Sequence, residues 1–417
     1  MKKSNAKEKI CGLASYAALA VLTVAACWFF AGRYGVFGAN MDWISQHSVF
    51  PEYFRQQFYQ TGQFFPEYAA NIGGGQNIYN FSYYGLYNPI VLIAYLLPFV
   101  KMSDYLMAAS VICLEASVCL LYGWLKKRRF STEIALAVAV LFLLAGPMIY
   151  QSCHQIMFVQ YMPFLLMAFS GVDRYWEKGK TGLYTLGVFL MILTSFYFSI
   201  AGMAAIFLYG WYGYPKGIRK RKLFGFLVPM IVAVLSAGVL LVPTAYAILQ
   251  RSGSSKSQNL KELLMPKLQL DTSLYGAYSV GLTVILVAVL LGGIVCGTIR
   301  ERMITVVCVA LLTVPLFAWG FNGMLYVRYK SLIPFLPFFC YLTAVFLKRM
   351  ENGEIGRWKG VFIFGSTVGV SLLALYQQGN GSRAQNYQLI LFESAALFFF
   401  FLIFQKWKRP FLLLVPA

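Results

Sequence analysis

The 417-residue chain is 59% hydrophobic and only 12% charged, and it carries a formal net charge of +20. Soluble domains carry about 25% charged residues, so this composition excludes an ordinary soluble globular protein. The positive charge does not indicate nucleic-acid binding, because the basic residues stand in short clusters between apolar segments. Such clusters are typical of the positive-inside rule and of contact with anionic membrane lipid.

Apolar segments long enough to cross a bilayer recur along the chain and predict an all-α polytopic membrane protein. The first follows a basic start without a small-residue cleavage site, which favours a retained span over a signal peptide. About twelve transmembrane helices are predicted, near residues 11–31, 105–125, 132–150, 157–172, 182–197, 198–214, 223–247, 276–299, 303–319, 331–347, 360–376 and 388–405. The stretch 182–214 is continuous in hydropathy and must turn back near Ser195–Ser199.

Charge predicts the orientation of these spans. With the N-terminus in the cytoplasm, 25 of the 35 lysines and arginines fall on the inner side, although the outer loops are longer. The expected organisation is a tail and first span at 1–31, a large first extracytoplasmic loop at 32–104, and a multi-span core at 105–405. A cytoplasmic end at 406–417 looks like the start of a further, truncated span.

Candidate chemistry begins in the first predicted outer loop, in the segment GANMDWISQH. If a helix begins at Asp42, then Asp42 and Gln46 share one face, and His47 follows directly. A carboxylate here is either a helix N-cap or a functional group at the membrane boundary, serving as a general base or metal ligand. The second of the two histidines, His154 in YQSCHQ, also falls on the predicted outer side.

Other candidates on this side bind phosphate or sugar. Arg251 and Arg328 are suited to a phosphate group, or else to the headgroups of surrounding lipid. Tyr84 belongs to a tyrosine-rich stretch that either stacks on a sugar or forms the aromatic belt of the interface. Walker A, GxSxG, HExxH and Rossmann motifs do not occur in the sequence, which argues against an ATP-driven pump and the common hydrolases.

Several segments, taken in order, resemble a known family. They are the Asp42–Gln46 pair, GGGQNIYNFSYYGLYNP, HQIMFVQYMPFLLMAFSGVDRYW, TSFYFSIAGMAAIFLY, LLVPTAYAILQRSGSS and NGMLYVRYKSLIPF. This set resembles the YfhO-like bacterial membrane proteins of the GT-C glycosyltransferase superfamily, over residues from about 10 to 350. Members of that family typically continue through further spans, so the chain looks shortened beside them.

The resemblance implies a GT-C-like membrane core in the bacterial plasma membrane, with both termini cytoplasmic. It implies transfer of a sugar from an undecaprenyl-phosphate-type lipid to a cell-envelope polymer such as a teichoic-acid-like chain. Asp42 is then the candidate base, Arg328 the candidate ligand of the lipid phosphate, and His154 a residue of a matching segment. A divalent cation beside Asp42 is allowed by this resemblance, although residue spacing does not indicate one.

Two other functions remain open at this level. A transporter or flippase would move a lipid-linked sugar without chemistry, but such proteins often contain repeated halves, and the sequence has no evident internal repeat. A non-catalytic membrane partner of a glycosylation system is the third reading.

Overall fold

The computed structural model describes residues 2–34, 38, 42–215, 217, 220–250, 259–378 and 383–417, and most of these residues are helical. The α-helices in the described residues are α1 Lys2–Tyr34, α2 Val49–Thr61, α3 Pro89–Ile93, α4 Met102–Lys127, α5 Thr132–Leu144, α6 Gly146–Ser152, α7 Met157–Gln160, α8 Met162–Lys178, α9 Gly182–Thr194, α10 Phe196–Gly213, α11 Lys220–Gly225, α12 Val228–Leu249, α13 Leu260–Leu264, α14 Leu270–Leu274, α15 Ile285–Cys296, α16 Ile299–Thr313, α17 Pro315–Phe321, α18 Leu336–Glu351, α19 Arg357–Gln378 and α20 Ala384–Trp407. A two-stranded antiparallel hairpin pairs β1 Tyr68–Ala69 with β2 Gln76–Asn77.

Seven helices in the described part of the chain are long and apolar enough to cross a membrane. The number rises to nine if two bent pairs, α5 with α6 (54°) and α16 with α17 (79°), each form one span. Helices α9 and α15 are apolar but shorter, and the span predicted at 157–172 corresponds to α8, which has 17 residues. A membrane-embedded all-α protein is therefore confirmed, whereas the predicted count of twelve spans is not.

Helix length accounts for three of the twelve predicted spans, because the helices at those positions, α8, α9 and α15, have 17, 13 and 12 residues, fewer than the roughly 20 that cross a bilayer. The apolar stretch 182–214 divides at Ser195, whose extended backbone (φ −156°, ψ 94°) separates α9 from α10. The Ser195 hydroxyl then accepts a hydrogen bond from the amide of Phe198 and caps α10. This break lies where the sequence predicts a turn.

The chain divides into two compact units. The first unit contains residues 23–117 and 149–256, and the second contains 1–22, 118–148 and 257–417. In the first unit α9 packs against α8, α10 and α12. A Cβ on Gly171 would lie 2.5 Å from the backbone of Tyr184, and one on Gly187 would lie 2.7 Å from that of Ala168. Small residues thus permit close approach of α8 and α9, as is common between membrane helices.

The segment between α1 and α4 is folded around an aromatic core in the first unit. Buried members of this core include Trp43, Phe54, Phe81, Tyr87 and Tyr95. The β1–β2 hairpin and a 3₁₀ turn over Ile78–Tyr84 carry the glycine- and tyrosine-rich stretch of the sequence across this core. Burial of several aromatic side chains supplies the driving force that gives a segment of low helical content a fixed shape.

The second unit is a helical assembly in which α15 packs against α16, α18 and α19, and α19 packs against α20. Helix α16 begins with a capping box in which Thr298 and Glu301 each bond to the other's backbone amide. Glu301 also forms a 2.7 Å ion pair with Arg349 of α18. A 3₁₀ turn over Tyr329–Phe335 precedes α18, and Arg328 stands immediately before that turn.

Candidate functional site

Asp42 precedes a single π-helical turn, Trp43–His47, where the sequence analysis considered a helix that begins at Asp42. The amide of Ser48 bonds to the carbonyl of Trp43 at 3.0 Å, and α2 starts at the next residue. Because π-helical bonds join residues five apart, the turn brings His47 to the side of Asp42. Single π turns often occur at functional sites.

The carboxylate of Asp42 makes no capping hydrogen bond to the turn that follows it. Its Oδ2 instead accepts a hydrogen bond from Nε2 of Gln155 at 2.5 Å. The side chain of Asp42 therefore does not act as a helix N-cap. Its Oδ1 accepts no hydrogen bond from the residues that the structure describes.

Gln155 reaches Asp42 from a short connection between α6 and α7. The backbone amide of Gln155 donates to the carbonyl of Gln151 at 3.1 Å, and this hydrogen bond fixes the backbone of the connection. Sequence reasoning missed Gln155 and chose its neighbour His154. The signal was present in the segment YQSCHQ, where several polar residues stand in an apolar region, but the pattern does not tell which of them faces Asp42.

His47 lies buried beneath the carboxylate, with 1% of its surface exposed. Burial lowers the pKa of His47 to about 4, and the negative charge of Asp42 opposes part of that shift. The imidazole is therefore neutral at physiological pH. Its Nδ1 has no hydrogen-bond partner among the described residues, and its ring lies 5.6 Å from that of Tyr84.

The remaining candidates of the first unit have different surroundings. Tyr84 is half-buried, and its ring centroid lies 4.6 Å from that of Phe50 in the aromatic core. Gln46 is half-buried on the π turn. His154 stacks on Tyr150 and donates from Nδ1 to the Tyr150 carbonyl at 2.7 Å. The candidate site of the first unit is therefore a set of neighbouring side chains: Asp42, His47, Tyr84 and Gln155.

Arg328 belongs to the second unit, where it is exposed. Its guanidinium carbon lies 5.6 Å from the ring centroid of Tyr326 and 5.8 Å from that of Tyr278. The ammonium of Lys330, a residue only 9% exposed, lies 5.7 Å from the same Tyr326 ring. Two cations on one tyrosine create a positive surface suited to an anion. Sequence reasoning missed Lys330, and Arg251 lies outside the described residues.

In the described part of the chain, no group of three His, Cys, Asp or Glu side chains could hold a metal ion. A divalent cation at Asp42 would therefore need most of its ligands from a substrate, the backbone or water.

Comparison with known proteins gives one match. A family model described as bacterial membrane protein YfhO matches residues 17–416. The chain belongs to the YfhO family. The resemblance inferred from the ordered segments is confirmed at this level, and it extends over nearly the whole chain. No curated protein and no solved structure matches the chain significantly.

Proposed function

We propose that this YfhO-family protein is a membrane glycosyltransferase that moves a sugar from a polyprenyl-phosphate donor to a cell-envelope polymer. Asp42 is the general base. The observation that carries the proposal is the carboxylate of Asp42, held through one oxygen by Gln155 and close to the buried, neutral His47. In this proposal the site faces outward from the bacterial plasma membrane and both termini lie in the cytoplasm.

The reaction needs one proton acceptor and one stabiliser of the leaving phosphate. Oδ1 of Asp42 takes the proton of an acceptor hydroxyl. At the same time the oxygen of this hydroxyl attacks the anomeric carbon of the donor sugar. The bond between the anomeric carbon and the phosphate oxygen breaks, and its electron pair leaves with the lipid phosphate. Attack opposite the leaving group inverts the anomeric configuration. A lipid phosphate is already a good leaving group, so no nucleotide is required.

Arg328 and Lys330 are proposed, as a separate surface of the second unit, to bind a phosphate group. A guanidinium binds phosphate oxygens in a bidentate manner, and the neighbouring ammonium adds a second positive charge. The cation–π contacts with Tyr326 restrain both side chains before substrate binds. Tyr84 and Gln46 are proposed to contact the sugar or the acceptor from the Asp42 side.

The test is Asp42→Asn in the full-length protein, reconstituted in liposomes with a polyprenyl-phosphate sugar and a polyol-phosphate acceptor. Loss of a general base lowers the rate by roughly 10²- to 10⁴-fold, while donor binding is retained. Asp104→Asn is the matched control, because Asp104 is an exposed carboxylate of the same unit. Equal transfer rates in the wild type and Asp42→Asn, at equal protein insertion, would remove Asp42 as the base.

A flippase for lipid-linked sugar is the second candidate. It is favoured by the two helix pairs that are bent by 54° and 79°, since discontinuous helices are common in transporters. A fluorescent lipid-linked sugar in the same liposomes separates the two functions. Movement of the donor between leaflets without any transfer to the acceptor would support the flippase and contradict the transferase.

A further inference from the structure

A groove of about 570 Å³ lies in the first unit between the first turns of α2 and the segment 98–103 that leads into α4. Polar groups of Glu52, Gln56 and Lys101 line one part of it, and Pro98 and Phe99 line another. The groove does not include Asp42 or its partner Gln155. It is therefore a separate cavity with an amphipathic lining.

The groove is built on a buried arginine. Arg55 is only 5% exposed, and its Nη1 donates to the carbonyls of Leu97 and Val100 at 3.1 and 2.9 Å. Its Nη2 donates to Oε2 of Glu52 at 2.5 Å. Because a buried guanidinium with three such bonds is costly to move, it fixes the 97–100 turn against α2. The groove thus has a rigid floor before any ligand binds.

The charged side chains that line the groove are one acidic and two basic residues. Glu52 and Arg55 compensate each other through their ion pair. Lys101 is exposed and forms no ion pair with the described residues. The lining therefore carries a net charge of one positive unit, placed at its rim. Beside this charge, the side-chain amide of Gln56 donates to Oε1 of Glu52 at 3.2 Å. The Glu52 carboxylate offers a hydrogen-bond acceptor to a polar ligand, and the Gln56 amide offers a donor and an acceptor.

The apolar side of the groove continues into a protruding hydrophobic edge. Ile93, Leu96 and Phe99 are 53%, 78% and 80% exposed. The membrane-spanning helix α4 starts at Met102, directly after Lys101. Exposed apolar side chains next to the start of a span are suited to the hydrocarbon boundary, and a lysine beside them is suited to the headgroup layer.

We propose that this groove binds a membrane phospholipid with a monoanionic phosphodiester and an uncharged polyol headgroup, such as phosphatidylglycerol. The phosphate pairs with Lys101, the headgroup hydroxyls bond to Glu52 and Gln56, and the acyl chains lie along Phe99 and Leu96. One net positive charge matches one phosphodiester. A polyprenyl monophosphate, with nearly two negative charges, would be left with an uncompensated charge here. The site is independent of the sugar-transfer function proposed above.

The experiment uses the purified full-length protein in nanodiscs that contain a photoreactive phosphatidylglycerol, whose diazirine lies near the headgroup. Peptide mapping is expected to find the label on residues 48–56 and 97–103. Unlabelled phosphatidylglycerol should compete, whereas phosphatidylcholine and phosphatidylethanolamine should compete at least fivefold less well. These measurements need only the wild-type protein, so they do not depend on the folding of a variant.

Lys101→Gln is expected to reduce the labelling about fivefold, the contribution of one lysine near an anionic surface. Lys180→Gln, which replaces an exposed lysine elsewhere in the same unit, is the matched control and should leave it unchanged. The proposal is overturned if label appears outside these two segments, if zwitterionic lipids compete equally, or if both lysine variants behave alike. Stronger competition by polyprenyl monophosphate would overturn it as well and assign the groove to that lipid.

Discussion

The buried histidine beneath Asp42 should make the segment 42–61 sensitive to acid. His47 has a pKa of about 4 in the folded protein, against an ordinary value of 6.5. Protonation therefore favours any state in which the segment opens and exposes the ring. The stability of the closed segment is fully present above pH 6.5, falls as the pH decreases from 6.5 towards 4, and changes no further below about pH 4.

The size of the effect follows from this difference in pKa. Between pH 7.5 and pH 5, the linkage relation gives a loss of about 2 kcal/mol in the free energy of opening. A loss of this size lowers the protection of backbone amides against hydrogen exchange by about 30-fold. His47→Gln removes the titrating group, so its protection should depend on pH much less than that of the wild type.

The assay is hydrogen exchange followed by mass spectrometry on peptides covering residues 42–61, with intrinsic exchange rates corrected for pH. His154→Gln is the matched control, because His154 is the other histidine of the chain. This control should retain the wild-type pH dependence. Parallel pH dependence in the wild type and His47→Gln would refute the reasoning, since it would show that His47 is not held neutral by burial.

Three further variants test the site and its support. Gln155→Leu removes the hydrogen bond to Asp42 and should slow sugar transfer at least tenfold in the liposome assay without a change in donor binding; an unchanged rate would contradict a positioning role for Gln155. Arg55→Met removes the guanidinium that donates to Glu52 and to two backbone carbonyls. It should lower the unfolding free energy by about 3 kcal/mol in denaturant titrations. A loss below about 1 kcal/mol would contradict a stabilising role for these three hydrogen bonds. Gly75→Ala should lower the unfolding free energy by about 1–2 kcal/mol in the same titrations, because φ is +94° at this position. The Tyr68 hydroxyl, which the new methyl group would meet, belongs to an exposed side chain that can move away. An unaltered unfolding midpoint would refute this backbone strain.

The sequence by itself determined the membrane character and the family, and it predicted where the site lies. Long apolar runs and clustered basic residues have a direct physical meaning, since the bilayer requires continuous apolar helices. The ordered segments then identified the family, and they drew attention to Asp42 and to the segment containing His154. The orientation in the membrane and the role of Asp42 as base remain predictions, because the first concerns the membrane and the second concerns a reaction.

Tertiary structure decided which side chains meet. Gln155 and not His154 contacts Asp42, since the connection after α6 turns the glutamine amide towards the carboxylate and the imidazole towards Tyr150. The π turn could not be read from sequence either, because residues 42–47 fit an α-helix equally well in hydrophobic pattern. Burial of His47, and hence its neutral state, depends on packing contributed by residues distant in the chain. For that reason the surroundings of Asp42, with Gln155 bonded to the carboxylate and a neutral His47 nearby, emerged only from the fold.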